Sequence, residues 1–217
     1  QAISFLPKIQ DGETVESCAT IAEVGGSATS ILAGERTALN FLQRLSGTAT
    51  LTAQFVNAIS HTSAQIVDTR KTTAGWRLLQ KYAVRVGGGR NHRFGLYDGI
   101  LIKDNHIVAA GGIKSAIAGA KKTIPHTLKV EVEVKMLDQI SEALEAGADI
   151  VLLDNMTNTD MKTAVAKISG KALTEASGGI TLDRVAGVAE TGVDYISVGA
   201  LTHSALPLDI SLDLEIL

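Results

Sequence analysis

Between Arg70 and Arg93 the chain reads RKTTAGWRLLQKYAVRVGGGRNHR, which holds seven of its 20 Lys and Arg residues and no Asp or Glu. So many cations with no internal partner call for an anion of high charge density. The chain as a whole carries net charge −3, and the stretch has little aromatic interleaving, so nucleic acid is a poor match. A small polyanion held in a pocket fits better. Arg77, Lys81 and Arg85 recur every fourth residue around Leu78, Leu79 and Tyr82, the spacing of a solvated helix face. Arg70, Lys71, His92 and Arg93 flank that helix and are the binding candidates. VGGGRNHR reads either as a flexible loop or as a tight packing turn.

Carboxylates supply a second chemistry. Glu133, near the end of LKVEVEV, and Asp154, at the end of ADIVLLD, are candidates for Mg²⁺, which prefers a few carboxylates plus substrate phosphate oxygens. Glu131 shares a strand face with Glu133 and is the weaker candidate. The alternative is structural pairing of these acids with Lys129 or Lys103. EASGGI and ISVGAL supply a third. Ser177, Gly178, Gly179 and Gly199 follow strands and precede helices, where backbone N–H groups can approach a phosphate. Glycine is also the commonest turn residue, which is the plainer explanation of either loop alone.

These residues need a scaffold that brings them to one end. Six short apolar runs, AQIVDT, GILIKD, LKVEVEV, ADIVLLD, KALTEAS and DYISVG, read as strands buried on both faces, separated mostly by amphipathic helical segments. Helices between strands imply parallel pairing, so the fold expected is α/β, a barrel of about six to seven parallel strands, with a doubly wound open sheet as the alternative. In a barrel the strand C-termini form one site, and polar residues fall there in all six runs. The expected organisation is an N-terminal piece over 1–33, the barrel over 34–206 and a returning strand over 207–217. A helix is expected from Glu35, with Arg36 near its start.

Composition sets the class. The chain has 217 residues, 45% of them hydrophobic, enough for one sizeable core. A single cysteine, Cys18, excludes an internal disulfide and fits a reducing, cytoplasmic setting. No apolar run is long enough to suggest a membrane span. QAISFLPKIQ has no signal-peptide pattern and no initiator Met.

The motifs GERTALNFLQRLSGTAT, DTRKTTAGWRLLQKYAVRVGGGRNHR, LYDGILIKDNH, VEVEV, LLDNM and ASGGI, in this order, resemble those of the quinolinate phosphoribosyltransferase family. The family's N-terminal α/β sandwich domain extends further than residues 1–33 do. The resemblance implies transfer of phosphoribose from phosphoribosyl pyrophosphate to quinolinate with decarboxylation, giving nicotinate mononucleotide in NAD biosynthesis. It implies that Arg70, His92, Arg93 and Lys103 hold the two carboxylates, with Lys71 beside the substrates. Glu133 and Asp154 match the acidic pair around Mg²⁺ and the ribose, and Ser177, Gly178, Gly179, Gly199 and His203 match the 5′-phosphate site. Arg36 matches an arginine that enters the neighbouring subunit's site, which implies a homodimer. Two enzymatic alternatives stand beside it. A phosphoribosyltransferase-like paralogue of molybdenum metabolism shares much of the motif order, although intact LIKDNH and LLDNM favour the quinolinate enzyme. Barrel logic alone allows a Schiff-base aldolase using Lys103 or Lys129.

Overall fold

A computed structural model describes residues 2–215. Strands β1 (Ile3–Pro7) and β2 (Ala22–Gly26) pair antiparallel and lead into α1 (Ala28–Ala58), a single helix of 31 residues. Then follow β3 (Gln65–Val67), α2 (Arg77–Val86), β4 (Ile100–Ile102), α3 (Asp104–Ala110), α4 (Ile113–Thr123) and β5 (Val130–Val134). The rest is α5 (Gln139–Glu145), β6 (Ile150–Asp154), α6 (Asn158–Ile168), β7 (Leu173–Ser177), α7 (Leu182–Ala189), β8 (Tyr195–Ser197) and α8 (Ala200–His203).

Strands β3 to β8 form one parallel sheet in the order β3-β8-β7-β6-β5-β4. The first strand of the set pairs with the last, as a sheet curling into a barrel requires. Arg90 bridges the other edge of β3 at Val67, so a single-residue seventh contact begins to fill the gap before β4. The six- to seven-strand α/β barrel expected from the six apolar runs is what forms. Val130, Val132 and Val134 belong to the apolar core packed between sheet and helices, together with Ile117, Ile140, Val151, Leu153, Ile168 and Ile196.

Register determines what fills the interior. Residues paired across neighbouring strands point to the same side, and the side alternates along each strand. Because Leu101 pairs with Glu131, Glu133 with Leu152, Leu152 with Glu175 and Val67 with Ser197, the inward face carries Glu131, Glu133, Asp154, Glu175, Ser177 and Ser197. An apolar filling would be the usual choice for such a barrel. Here the interior is acidic.

Three expectations need correction. Helix α1 begins at Ala28, so residue 33 lies inside it and Arg36 sits more than a turn past the start. Ser27 stands at the N-cap position but makes no side-chain cap bond, and the first turn has no acid. Residues 207–215 contain no strand, and the last two residues lie outside those described. This tail runs beside α1 instead: Leu208 N–H donates to Gln43 O at 3.0 Å, and Gln43 Nε2 donates to Ile210 O at 2.8 Å. Gly47 permits that approach, since a Cβ there would lie 2.0 Å from Leu206 O. Among the described residues no helix is long and apolar enough to cross a membrane.

Candidate active site

The polar strand ends converge as expected, but several partners differ. Lys81 is the largest departure. Instead of standing on a solvated face it is 2% exposed and ion-paired with Asp68, which is fully buried at the end of β3. Arg77 is half-buried: its guanidinium donates to Thr72 Oγ1 at 3.0 Å, Phe94 O at 3.1 Å and Arg70 O at 3.1 Å. It ties together the loops that carry Arg70 and Arg93. Arg85 alone of the three is exposed. VGGGR is a packing turn: Cβ atoms at Gly87 and Gly89 would lie 2.3 Å from Ala49 O and 2.8 Å from Thr52 Cγ2 on α1.

Arg70 is exposed, and Arg93 is half-buried with Nη1 donating to Gly99 O at 3.1 Å. Burial, then the neighbouring charge of Arg70, pulls the Arg93 pKa down. Lys103 projects from the end of β4 and donates to Glu133 Oε2 at 2.6 Å, which settles the structural pairing of Glu133 in favour of Lys103. Lys129 immediately precedes β5, at the opposite end of the barrel, so it pairs with neither acid and the Schiff-base reading loses one of its two lysines. Asp154 is half-buried, and its Oδ2 accepts from Asn155 Nδ2 at 3.0 Å. Lys135 is ion-paired with Asp104 at 2.8 Å, which raises its pKa, with smaller contributions from the charges of Glu133 and Asp154.

The glycine loops meet one another. Gly178 and Gly179 have φ of +94° and +58°, and a Cβ on Gly178 would sit 2.2 Å from Asn155 Oδ1. Asn155, itself left-handed at φ 55°, donates its N–H to Ser177 O and so locks the end of β6 to the end of β7. Gly199 lies between His203 and Lys71: a Cβ there would be 3.0 Å from His203 Nε2 and 3.4 Å from Lys71 Cδ. Thr202 Oγ1 donates to Lys71 O at 2.6 Å and fastens that loop to α8. Arg36 is exposed on α1, and its side chain bonds to no other described residue.

Beneath the cations lies a cluster only partly legible beforehand. His92 Nε2 is 3.1 Å from Glu131 Oε2 and 3.5 Å from Glu175 Oε2, and the Oε1 atoms of both acids are buried without a partner. Burial works to lower the His92 pKa, but the Glu131 hydrogen bond and the charges of Glu175 and Glu131 outweigh it, giving a net rise. Arg93 N–H donates to His92 Nδ1 at 2.7 Å. In this geometry Nδ1 accepts from the main chain while Nε2 faces Glu131. His92, Glu131 and Glu175 each place one ligand atom within 4.8 Å of the others, close enough to hold a cation. Both ring nitrogens have partners within the chain, Nδ1 in the Arg93 N–H and Nε2 in the buried acids.

Burial, then the Glu131 charge, raises Glu175 to about 8. Below the ordinary value of 4.5 both folded and unfolded chains hold this proton; between there and about 8 only the folded chain does. Stability should therefore fall as pH rises through that window, by on the order of a few kcal/mol, and level off above it. Denaturant midpoints at pH 5 and pH 8 check this: Glu175→Gln should flatten the difference, and an unchanged slope would exclude the pair as its source.

Two cavities adjoin the barrel. One of about 330 Å³ is lined by Lys135, Asn155, Thr157 and Asp160 among others. The larger, about 360 Å³, lies at the strand N-termini among Asp149, Thr174 and Asp194. Its carboxylates are already taken by Val130 N–H and by Thr174, which assigns them to holding strands together.

Comparison with known proteins agrees with this geometry. Residues 48–213 match the family described as quinolinate phosphoribosyl transferase, C-terminal domain, and residues 1–46 match its N-terminal domain. A probable nicotinate-nucleotide pyrophosphorylase (carboxylating) of Bacillus subtilis is 48% identical over 95% of this chain and 72% of its own length. The nicotinate-nucleotide pyrophosphorylase (carboxylating) of Mycobacterium leprae is 46% identical over 96% of this chain and 74% of its own. The crystal structure of the Ehrlichia chaffeensis nicotinate-nucleotide pyrophosphorylase superposes with TM-score 0.95 at 40% identity, covering 98% of this chain and 77% of that one.

Proposed function

The chain belongs to the quinolinate phosphoribosyltransferase family, and on that premise we propose how its barrel joins quinolinate to phosphoribosyl pyrophosphate, releasing pyrophosphate and CO₂ and leaving nicotinate mononucleotide. The observation that carries this reading is the set of cations at an acidic barrel interior: Lys103 held on Glu133, and Arg93, whose pKa is lowered by burial and then by the charge of Arg70. Two guanidinium groups and an ammonium match two carboxylates in charge and in hydrogen-bonding geometry. Arg70, Arg93 and Lys103 take the dicarboxylate, and His92 holds the Arg93 main chain behind them. Lys71, His203 and the N–H groups around Ser177, Gly178, Gly179 and Gly199 take the 5′-phosphate.

Loss of pyrophosphate builds positive charge on the ribose and negative charge on the leaving group, so carboxylates near the sugar and cations near the diphosphate lower the barrier. Glu133 and Asp154 fit Mg²⁺ as an all-oxygen pair on adjacent strands, Asp154 accepting only a neutral amide bond on one oxygen. Mg²⁺ bound there supplies charge neutralisation for the diphosphate oxygens. Lys103 shares Glu133 with that role and links the acidic pair to the dicarboxylate site. Once the pyridine nitrogen is alkylated, its positive charge stabilises the carbanion left when CO₂ departs. No side chain needs to act as a nucleophile. A cytoplasmic setting fits the single exposed cysteine.

CO₂ release from quinolinate, dependent on phosphoribosyl pyrophosphate and Mg²⁺, tests the reading, and its absence in the full-length protein defeats it. Arg36, exposed and unengaged, is proposed to complete the pocket of a second copy in a two-fold dimer. Arg36→Ala and Lys103→Ala dimers should each be nearly inactive. Mixing them should restore activity toward half of wild type per heterodimer, because one pocket then carries both defects and the other none. No recovery after confirmed subunit exchange would place Arg36 in its own chain's site.

A further inference from the structure

The buried Asp68–Lys81 pair is not accounted for by substrate contact. Asp68 is 0% exposed and Lys81 2%. Two charges removed from water this completely cost more than a well-packed apolar pair of the same volume usually does. Burial raises the pKa of the Asp68 carboxyl even against the opposing effects of Lys81 and Asn91. Stability alone is therefore a weak reason for these two residues.

Their other bonds all converge on one peptide. Asp68 Oδ1, which holds Lys81 Nζ, also accepts the His92 N–H at 2.9 Å, and Lys81 Nζ also donates to His92 O at 2.9 Å. The donor and the acceptor of a single residue's backbone are thus gripped by opposite members of one ion pair. Asn91 braces the grip from the side, with Nδ2 donating to Asp68 Oδ2 at 2.6 Å and to Lys81 O at 2.9 Å. Upstream, Arg90 N–H donates to Ile66 O and Asp68 N–H to Arg90 O, so the segment enters the grip already latched to β3. Downstream, the His92 ring receives the Arg93 N–H and turns Nε2 toward Glu131. Position is therefore passed from β3 and α2 through His92 to the main chain of Arg93.

We propose that Asp68 and Lys81 are positioning residues for substrate recognition, a buried ionic clamp that holds the His92–Arg93 backbone so that the Arg93 guanidinium meets one carboxylate of the bound dicarboxylate. The clamp rests on the quinolinate reading. It predicts a selective defect: displacement of a binding group by about 1 Å can cost about 100-fold, and here it falls on one substrate only.

The test uses the charge-neutral double variant Asp68→Asn/Lys81→Met in the full-length enzyme, which keeps an acceptor for the His92 N–H and leaves no unpaired buried charge. The KM for quinolinate should rise by about 10- to 100-fold, with the KM for phosphoribosyl pyrophosphate changed less than about twofold and kcat changed less than the quinolinate KM. Asn91→Ala, which removes the brace and no charge, should move the same constant in the same direction by a smaller factor, and it decides the matter if the double variant does not fold. Equal rises in both KM values, or a fall in kcat alone, would mean general loosening and overturn the proposal. An unmodified enzyme that turns over no quinolinate would overturn the underlying reading, and the clamp with it.

Discussion

Arg93→Ala is expected to weaken quinolinate capture by about 2–5 kcal/mol, the usual cost of removing one partner from a buried hydrogen-bonded charge pair. Initial-rate kinetics should show this as a fall of roughly 30-fold to several thousand-fold in kcat/KM for quinolinate. The size follows from where Arg93 sits. It is half-buried, its backbone N–H is spent on His92 and one guanidinium nitrogen on Gly99, so the rest of the fork has a fixed direction. Its depressed pKa marks unfavourable burial and crowding by Arg70 that an incoming dianion relieves. A monocarboxylate leaves one cation of the group unmatched. Nicotinate should accordingly be turned over far more slowly, and comparable rates for the two acids would contradict the assignment.

Asp154→Asn and Glu133→Gln should each lower kcat by about 100- to 1,000-fold, the range found when one preorganised electrostatic contact to the transition state is lost. Quinolinate binding without phosphoribosyl pyrophosphate should stay within about twofold in Asp154→Asn, because a carboxylate contributes no attraction for a dianion. Glu133→Gln should differ in one respect. It frees Lys103 from its 2.6 Å partner, so quinolinate binding should tighten while turnover falls. Titration calorimetry beside single-turnover assays separates the two constants. If Glu133→Gln instead melts the barrel, the Lys103 pair is architectural and the ribose role belongs to Asp154 alone.

The sheet was readable because a strand buried on both faces leaves a continuous apolar run, and all six runs became strands. The tail over 207–215 failed for the complementary reason: alternation says that one face is covered, not that the cover is another strand. Lys81 shows the limit of helical spacing. Four-residue intervals put it in line with Arg77 and Arg85, but each step of four overshoots a turn by about 40°, so three such residues span from solvent to core. Its partner, Asp68, lies across a loop that spacing cannot fold. Glu175 appeared beforehand only as the start of a glycine loop. Its signal was the register: once Glu131 and Glu133 face inward, strand pairing carries the same face through Leu152 to Glu175. The helix expected from Glu35 starts at Ala28 instead: a Cβ at Gly34 would touch nothing, and α1 runs through it.

The pairing of β3 with β8 also sets a schedule for synthesis. Gln65 meets Tyr195 about 130 residues later in the chain, whereas β5, β6 and β7 meet partners that arrive soon after them. At the usual pace of about 5–20 residues per second, β3 waits on the order of ten seconds on the ribosome before its neighbour exists. Through that interval Ile66 and Val67, which end up 2% and 4% exposed, belong to a strand with an open edge. A nascent chain of this topology depends on being shielded from its neighbours until its last strand emerges.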